Sequence, residues 1–132
     1  MNFPAQDRHN RSPIDHAVLT ALRQDIGDQV LRSFIRTYID LLIIRLAHID
    51  RAIGRRDCAD ALQEVPDLRT SSAMLGAVRL AELAGALERF LIQGRIPGAA
   101  GLLPGIRAEA AAVVIALRAI DGDSTDLQPP NL

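Results

Sequence analysis

The sequence has no lysine, no tryptophan, one cysteine and only 3% aromatic residues. Each shortage excludes something. A single thiol, Cys58, cannot form an intrachain disulfide, and His9, His16 and His48 are too far apart along the chain to complete a zinc site with it. The basic residues are all arginine and are scattered along the chain, as a coding bias would leave them. The net charge of -1 gives no electrostatic case for binding nucleic acid or a membrane surface. Long apolar runs are scarce too: Arg45 interrupts the one that begins at Leu41, and no stretch is expected to approach a membrane span. The opening residues, MNFPAQDRHN, are polar and lack the apolar centre of a secretion signal. A soluble cytoplasmic protein is the expectation.

Catalytic patterns are missing as well. A diiron bundle needs Glu-x-x-His pairs, and none of Glu64, Glu82, Glu88 or Glu109 has a histidine three residues on. Ser71-Ser72 has no nearby histidine to act as a base, and the glycines from 94 to 105 form a connection rather than a phosphate-cradling loop. No enzyme activity, metal or cofactor is expected.

What is present is helical periodicity. The chain is 48% hydrophobic over 132 residues, rich in alanine and leucine, and long enough for one domain with a modest core. Ser12-Pro13 reads as a cap and first turn, opening a short helix with Ile14, Val18 and Leu22 inward. After Gly27, with Asp25 or Asp28 as cap, a long helix runs from about Asp28 to Ile53. Its seam is Ile35, Ile39, Leu42, Leu46, Ile49 and Ile53, widened by Phe34, Tyr38 and Leu41. Arg51, Arg55 and Arg56 suit the negative C-terminal end of that helix, which Gly54 ends.

Asp57 opens a third helix with Ala61, Val65, Leu68, Ser72 and Leu75 on one face. Pro66 falls inside this pattern, where a regular interior would lose about 3 kcal/mol. The spacing therefore predicts a kink at 63–65, or a break that makes Pro66 a first-turn residue of a shorter helix. Gly76 marks a turn. A fourth helix, about Ala77 to Gln93, carries Leu80, Leu83, Leu87 and Phe90. A loop from Gly94 to Gly98 and a last helix with its main body from about Pro104 to Ile120 follow, the latter stopped by Asp121-Gly122. Four long amphipathic segments joined by short connections give an all-α, up-down-up-down four-helix bundle with an extra short N-terminal helix. The domain is expected over residues 13–121, between a flexible arm at 1–12 and a disordered tail at 122–132.

The stretch Val65 to Ala77, VPDLRTSSAMLGA, resembles the signature of the histidine-containing phosphotransfer (HPt) domain, Ala-His-x-Leu-Lys-Gly-Ser-Ser-x-x-Leu-Gly-Ala. Leu68, Ser71, Ser72, Leu75, Gly76 and Ala77 match, and Arg69 replaces the lysine. Thr70 stands in place of the family's glycine and Pro66 in place of its phospho-accepting histidine. The resemblance covers about Ile14 to Ile120 and implies the same bundle. It further implies a degenerate member of two-component phosphorelay signalling, one that binds a response-regulator receiver domain or a histidine kinase without accepting phosphate. The docking surface would centre on Pro66, Arg69, Thr70 and Ala73. Arg69 could still hold an anion; Thr70 would crowd a partner's loop. Replacing Pro66 by histidine should straighten the third helix and stabilise it, by up to about 3 kcal/mol if a kink is strained. Two other readings stand beside this one. A structural bundle could self-associate through spare apolar surface, which leaves a homodimer open. A phosphotransfer protein could instead use His48 or His16; at a bundle margin, His48 reads more simply as half-buried packing.

Overall fold

The computed structural model describes residues 12–126, with side chains to 122. Six helical segments, and no strand, occur among the described residues. They are α1 (His16–Ile26), α2 (Asp28–Gly54), α3 (Cys58–Ala61), α4 (Val65–Met74), α5 (Val78–Ile92) and α6 (Ile96–Asp126). The third helix of the bundle is thus split into α3 and α4. Around the bundle α2 packs on α4, α4 on α5, α5 on α6, and α6 closes back on α2, while α1 lies against α2. The α2 seam is buried as the periodicity predicts, except that Leu46 is half-buried. Of the second stripe, Tyr38 is buried, Phe34 half-buried and Leu41 exposed. On α5 the inward residues are Leu80, Ala84, Leu87 and Leu91, with Leu83 and Phe90 half-buried.

Several boundaries differ from the sequence expectation, each for a local reason. Asp15, not Ser12, caps α1, its carboxylate accepting from the Ala17 amide at 3.0 Å. The helix therefore starts a turn later: Ile14 is buried ahead of it, Leu19 is its buried residue, and Val18 and Leu22 are half-buried. The expected loop from Gly94 to Gly98 closes sooner, because Pro97 is accepted in the first turn of α6. Pro104 is no helix start; it lies inside α6. It is tolerated because Pro104 and Ala100, whose carbonyl loses its donor, are both exposed, so water can satisfy the freed oxygen. Asp121-Gly122 does not stop the helix, since Arg36 Nε donates to Asp121 Oδ2 at 3.1 Å and ties that turn to α2.

The scarcity of apolar runs is also overturned in one place. Residues Ile96–Gly122 of α6 are long and apolar enough to cross a membrane by length and composition. Alanine supplies much of that hydropathy, and in the bundle Ile106, Val113 and Leu117 of this helix are buried against its neighbours. The expected arm at 1–11, and the tail at 127–132, lie outside the described residues.

Candidate functional site

The site is built on the break between α3 and α4. Asp57 caps α3 by accepting from the Asp60 amide at 3.0 Å, and the four-residue helix ends at Ala61. The chain re-enters a helix at Val65 with Pro66 in the first turn. Of the two outcomes the sequence allowed, the structure takes the break. There proline removes no intrahelical bond and clashes with no preceding carbonyl, so the strain that a kinked interior would carry is absent.

Side chains of α2 hold the break in place. His48 Nε2 lies 2.9 Å from Asp60 Oδ1, and His48 Nδ1 lies 3.3 Å from Glu64 Oε2. Arg55 also pairs with Asp60, and Arg45 reaches Glu64 at 3.7 Å and Asp67 at 3.8 Å. The hydrogen bond from His48, assisted by Arg55 and opposed by partial burial, holds the Asp60 carboxyl below the usual carboxylate range. His48 is half-buried, as its position suggests, yet it is a clamp between two carboxylates. Sequence reasoning missed this role. The signal was there: basic residues at 45 and 48 on one helix face acidic residues at 60 and 64 on the next, both at helical spacing. Each ring nitrogen of His48 is directed at a carboxylate, which stands where an incoming phosphoryl group would have to approach. His16 is exposed at the start of α1, beside the α4–α5 turn and not on the face that carries Pro66 and Arg69.

Along α4 the two stripes separate as their spacing predicts. Val65, Leu68 and Ser72 are buried. Pro66 is half-buried, and Arg69, Thr70 and Ala73 are exposed on the outward side. The four residues expected to form a docking surface therefore share one face. Beside them runs a shallow groove between α4 and α5 of about 390 Å³, lined in part by Arg69, Ala73, Gly85 and Arg89. Arg69 is partly committed, its Nε lying 3.1 Å from Glu88 Oε1. Such an exposed pair contributes about 0–1 kcal/mol, so an incoming anion could displace it.

The matched serines and glycine serve the scaffold. Ser72 Oγ and Tyr38 Oη hydrogen-bond at 2.7 Å in the core. Ser71 Oγ donates back to the Asp67 carbonyl at 2.7 Å. Gly76 has φ +80, and a Cβ there would sit 2.7 Å from the Asp15 carbonyl oxygen; the Asp15 amide donates to the Gly76 carbonyl at 2.8 Å. Gly76 thus lets the chain ahead of α1 lie against the α4–α5 turn.

The family profile described as Hpt domain matches residues 29–116, from the first turns of α2 to well into α6. The chain belongs to the Hpt domain family. Its fold is that of histidine-containing phosphotransfer protein B (HptB) from Pseudomonas aeruginosa PAO1, a crystal structure matched with a TM-score of 0.80 over 86% of this chain and 97% of that one, at 22% identity. No curated protein is significantly similar to the chain. In this Hpt scaffold residue 66, in the first turn of α4, is a proline, whose nitrogen is a tertiary amide with neither a proton nor a nucleophilic lone pair.

Proposed function

We propose that this Hpt-family chain is a phosphorelay binding module that engages a receiver domain or a histidine kinase in the cytoplasm and does not itself carry phosphate. The observation that carries the reading is Pro66 on the outward face of α4, in a stretch that keeps Leu68, Ser71, Ser72, Leu75, Gly76 and Ala77 of the signature. Arg69, Thr70 and Ala73 on the same face would make the contact, with Thr70 filling the gap that glycine leaves in the family pattern. The clamped state of His48 argues against a relocated phosphoryl acceptor.

The test is exposure of the chain to a panel of phosphorylated receiver domains. Binding without acid-labile, base-stable label is expected, and Ala73→Arg on the docking face should abolish it. Stoichiometric label on His48 or His16 would sink the reading. A gain-of-function arm adds Pro66→His with Thr70→Gly. The pair should accept phosphate from at least one receiver, while histidine alone is crowded by Thr70 and glycine alone lacks a nucleophile.

A further inference from the structure

On the side of the bundle away from α4, the two longest helices, α2 and α6, leave an open apolar groove of about 490 Å³. Large aliphatic side chains form its lips: Ile43 is 56% exposed and Ile115 71%. Ile44, 63% exposed, carries the patch around the outer side of α2. Single exposed aliphatics are ordinary, but a contiguous patch rimmed by charge marks an association surface.

The charges identify what covers it. Arg107 Nη1 lies 3.0 Å from Asp50 Oδ1, and Arg36 Nε lies 3.1 Å from Asp121 Oδ2, so both bridges link α6 to α2. The same number of residues separates Arg36 from Asp50 as separates Arg107 from Asp121. The antiparallel helices therefore keep strict register between the bridges, with Ile43 level with Val114 and Ile115, and Asp40 level with Arg118 to within a residue. For two copies placed groove to groove, a two-fold axis parallel to the helices sets α2 of one on α6 of the other at unchanged level. Asp50 then meets Arg107 of the second copy, Asp40 meets Arg118, and Ile43 packs on Ile115. An axis across the helices would instead set α2 on α2 and invert the levels about Ile43; Asp50 would still meet an arginine, Arg36, but Asp40 would turn onto Leu46 and Arg118 onto Ala110, leaving both charges against apolar surface.

We propose that this face is a homodimer interface, with two copies of the chain related by a two-fold axis parallel to α2 and α6. The groove between the bridges is about 20 Å long and two helix diameters, about 20 Å, wide. That footprint, about 800 Å² over the two copies, lies below the standard size of a specific pair, so the dimer is a weak and reversible one. The α4 face stays open on the far side of each copy, and the dimer presents two docking faces pointing apart.

Sedimentation equilibrium of the full chain across the micromolar range should show a reversible monomer–dimer exchange. Ile43→Asp with Ile115→Asp should raise the dissociation constant by about tenfold or more, with helicity and melting unchanged. Asp50→Arg and Arg107→Asp should each weaken self-association. Mixed in equal amounts they should restore it, because one copy then carries two positive charges at that level and the other two negative. A chain that stays monomeric throughout, or a dimer indifferent to Ile43→Asp with Ile115→Asp, would overturn the proposal. Failure of the mixture to recover would overturn the axis. Loss of receiver capture by the Ile43→Asp, Ile115→Asp variant of a monomeric wild type would assign the groove to the signalling partner and end the proposal.

Discussion

Tyr38 and Ser72 carry the most consequential polar contact in the core. Ser72 is the buried polar side chain among the described residues, and Tyr38 is among the largest fully buried side chains. Neither hydroxyl can reach water, so each depends on the other at 2.7 Å. Tyr38→Phe or Ser72→Ala should each cost about 1–3 kcal/mol in urea unfolding, since either strands its partner's hydroxyl. The double variant should cost less than the sum, because it removes both groups together. Burial also pushes the Tyr38 phenol from its ordinary 10.0 up to about 12, against smaller opposing effects from Ser72 and Arg45. The unfolded chain then loses this proton first as pH rises. The stabilisation is complete below about pH 10 and is lost progressively toward 12. With one tyrosine and no tryptophan, phenolate absorbance reads this titration directly; a midpoint at the ordinary value would mean that the ring is not buried.

Two prolines at the scale of single helices lead to opposite expectations. Pro66 sits in the first turn of α4 and strains nothing. The gain of up to about 3 kcal/mol expected from removing it in a kinked helix therefore does not apply. Pro66→Ala should instead be near neutral, losing about 0.4–1 kcal/mol as the unfolded chain gains freedom. Pro104 lies inside α6 at an exposed position, and Pro104→Ala should raise the melting temperature, by an amount corresponding to about 1–3 kcal/mol. The break itself has a dynamic consequence. A four-residue α3 cannot build a continuous ladder, so amides from 58 to 64 should exchange faster than those of α5. Uniformly slow exchange from α3 through α4 would contradict the break.

At the scale of the whole molecule, neighbouring helices in the chain are mostly neighbours in space, joined by connections of a few residues. Loop closure is then a small entropic cost, and refolding in stopped-flow should be complete within milliseconds. Refolding over seconds would point instead to a proline-limited step. Much of this architecture is written in local order. The seam from Ile35 to Ile53, the stripe from Ala61 to Leu75 and the outward placement of Arg69, Thr70 and Ala73 follow from a period of 3.6, because a helix face is fixed by spacing alone. The identity of residue 66 is equally local, since it is proline whatever surrounds it. Other features depend on groups distant in sequence. Asp121-Gly122 reads as a stop until Arg36 arrives from α2, and Pro104 reads as a start until its exposure shows that water can replace the lost bond. His48 becomes a clamp only when α3 brings Asp60 and Glu64 against it. The sequence by itself determined the faces of the helices and the proline at position 66. The tertiary structure decided where helices end and which charges meet, because those depend on the partner that a backbone or side-chain group finds across the bundle.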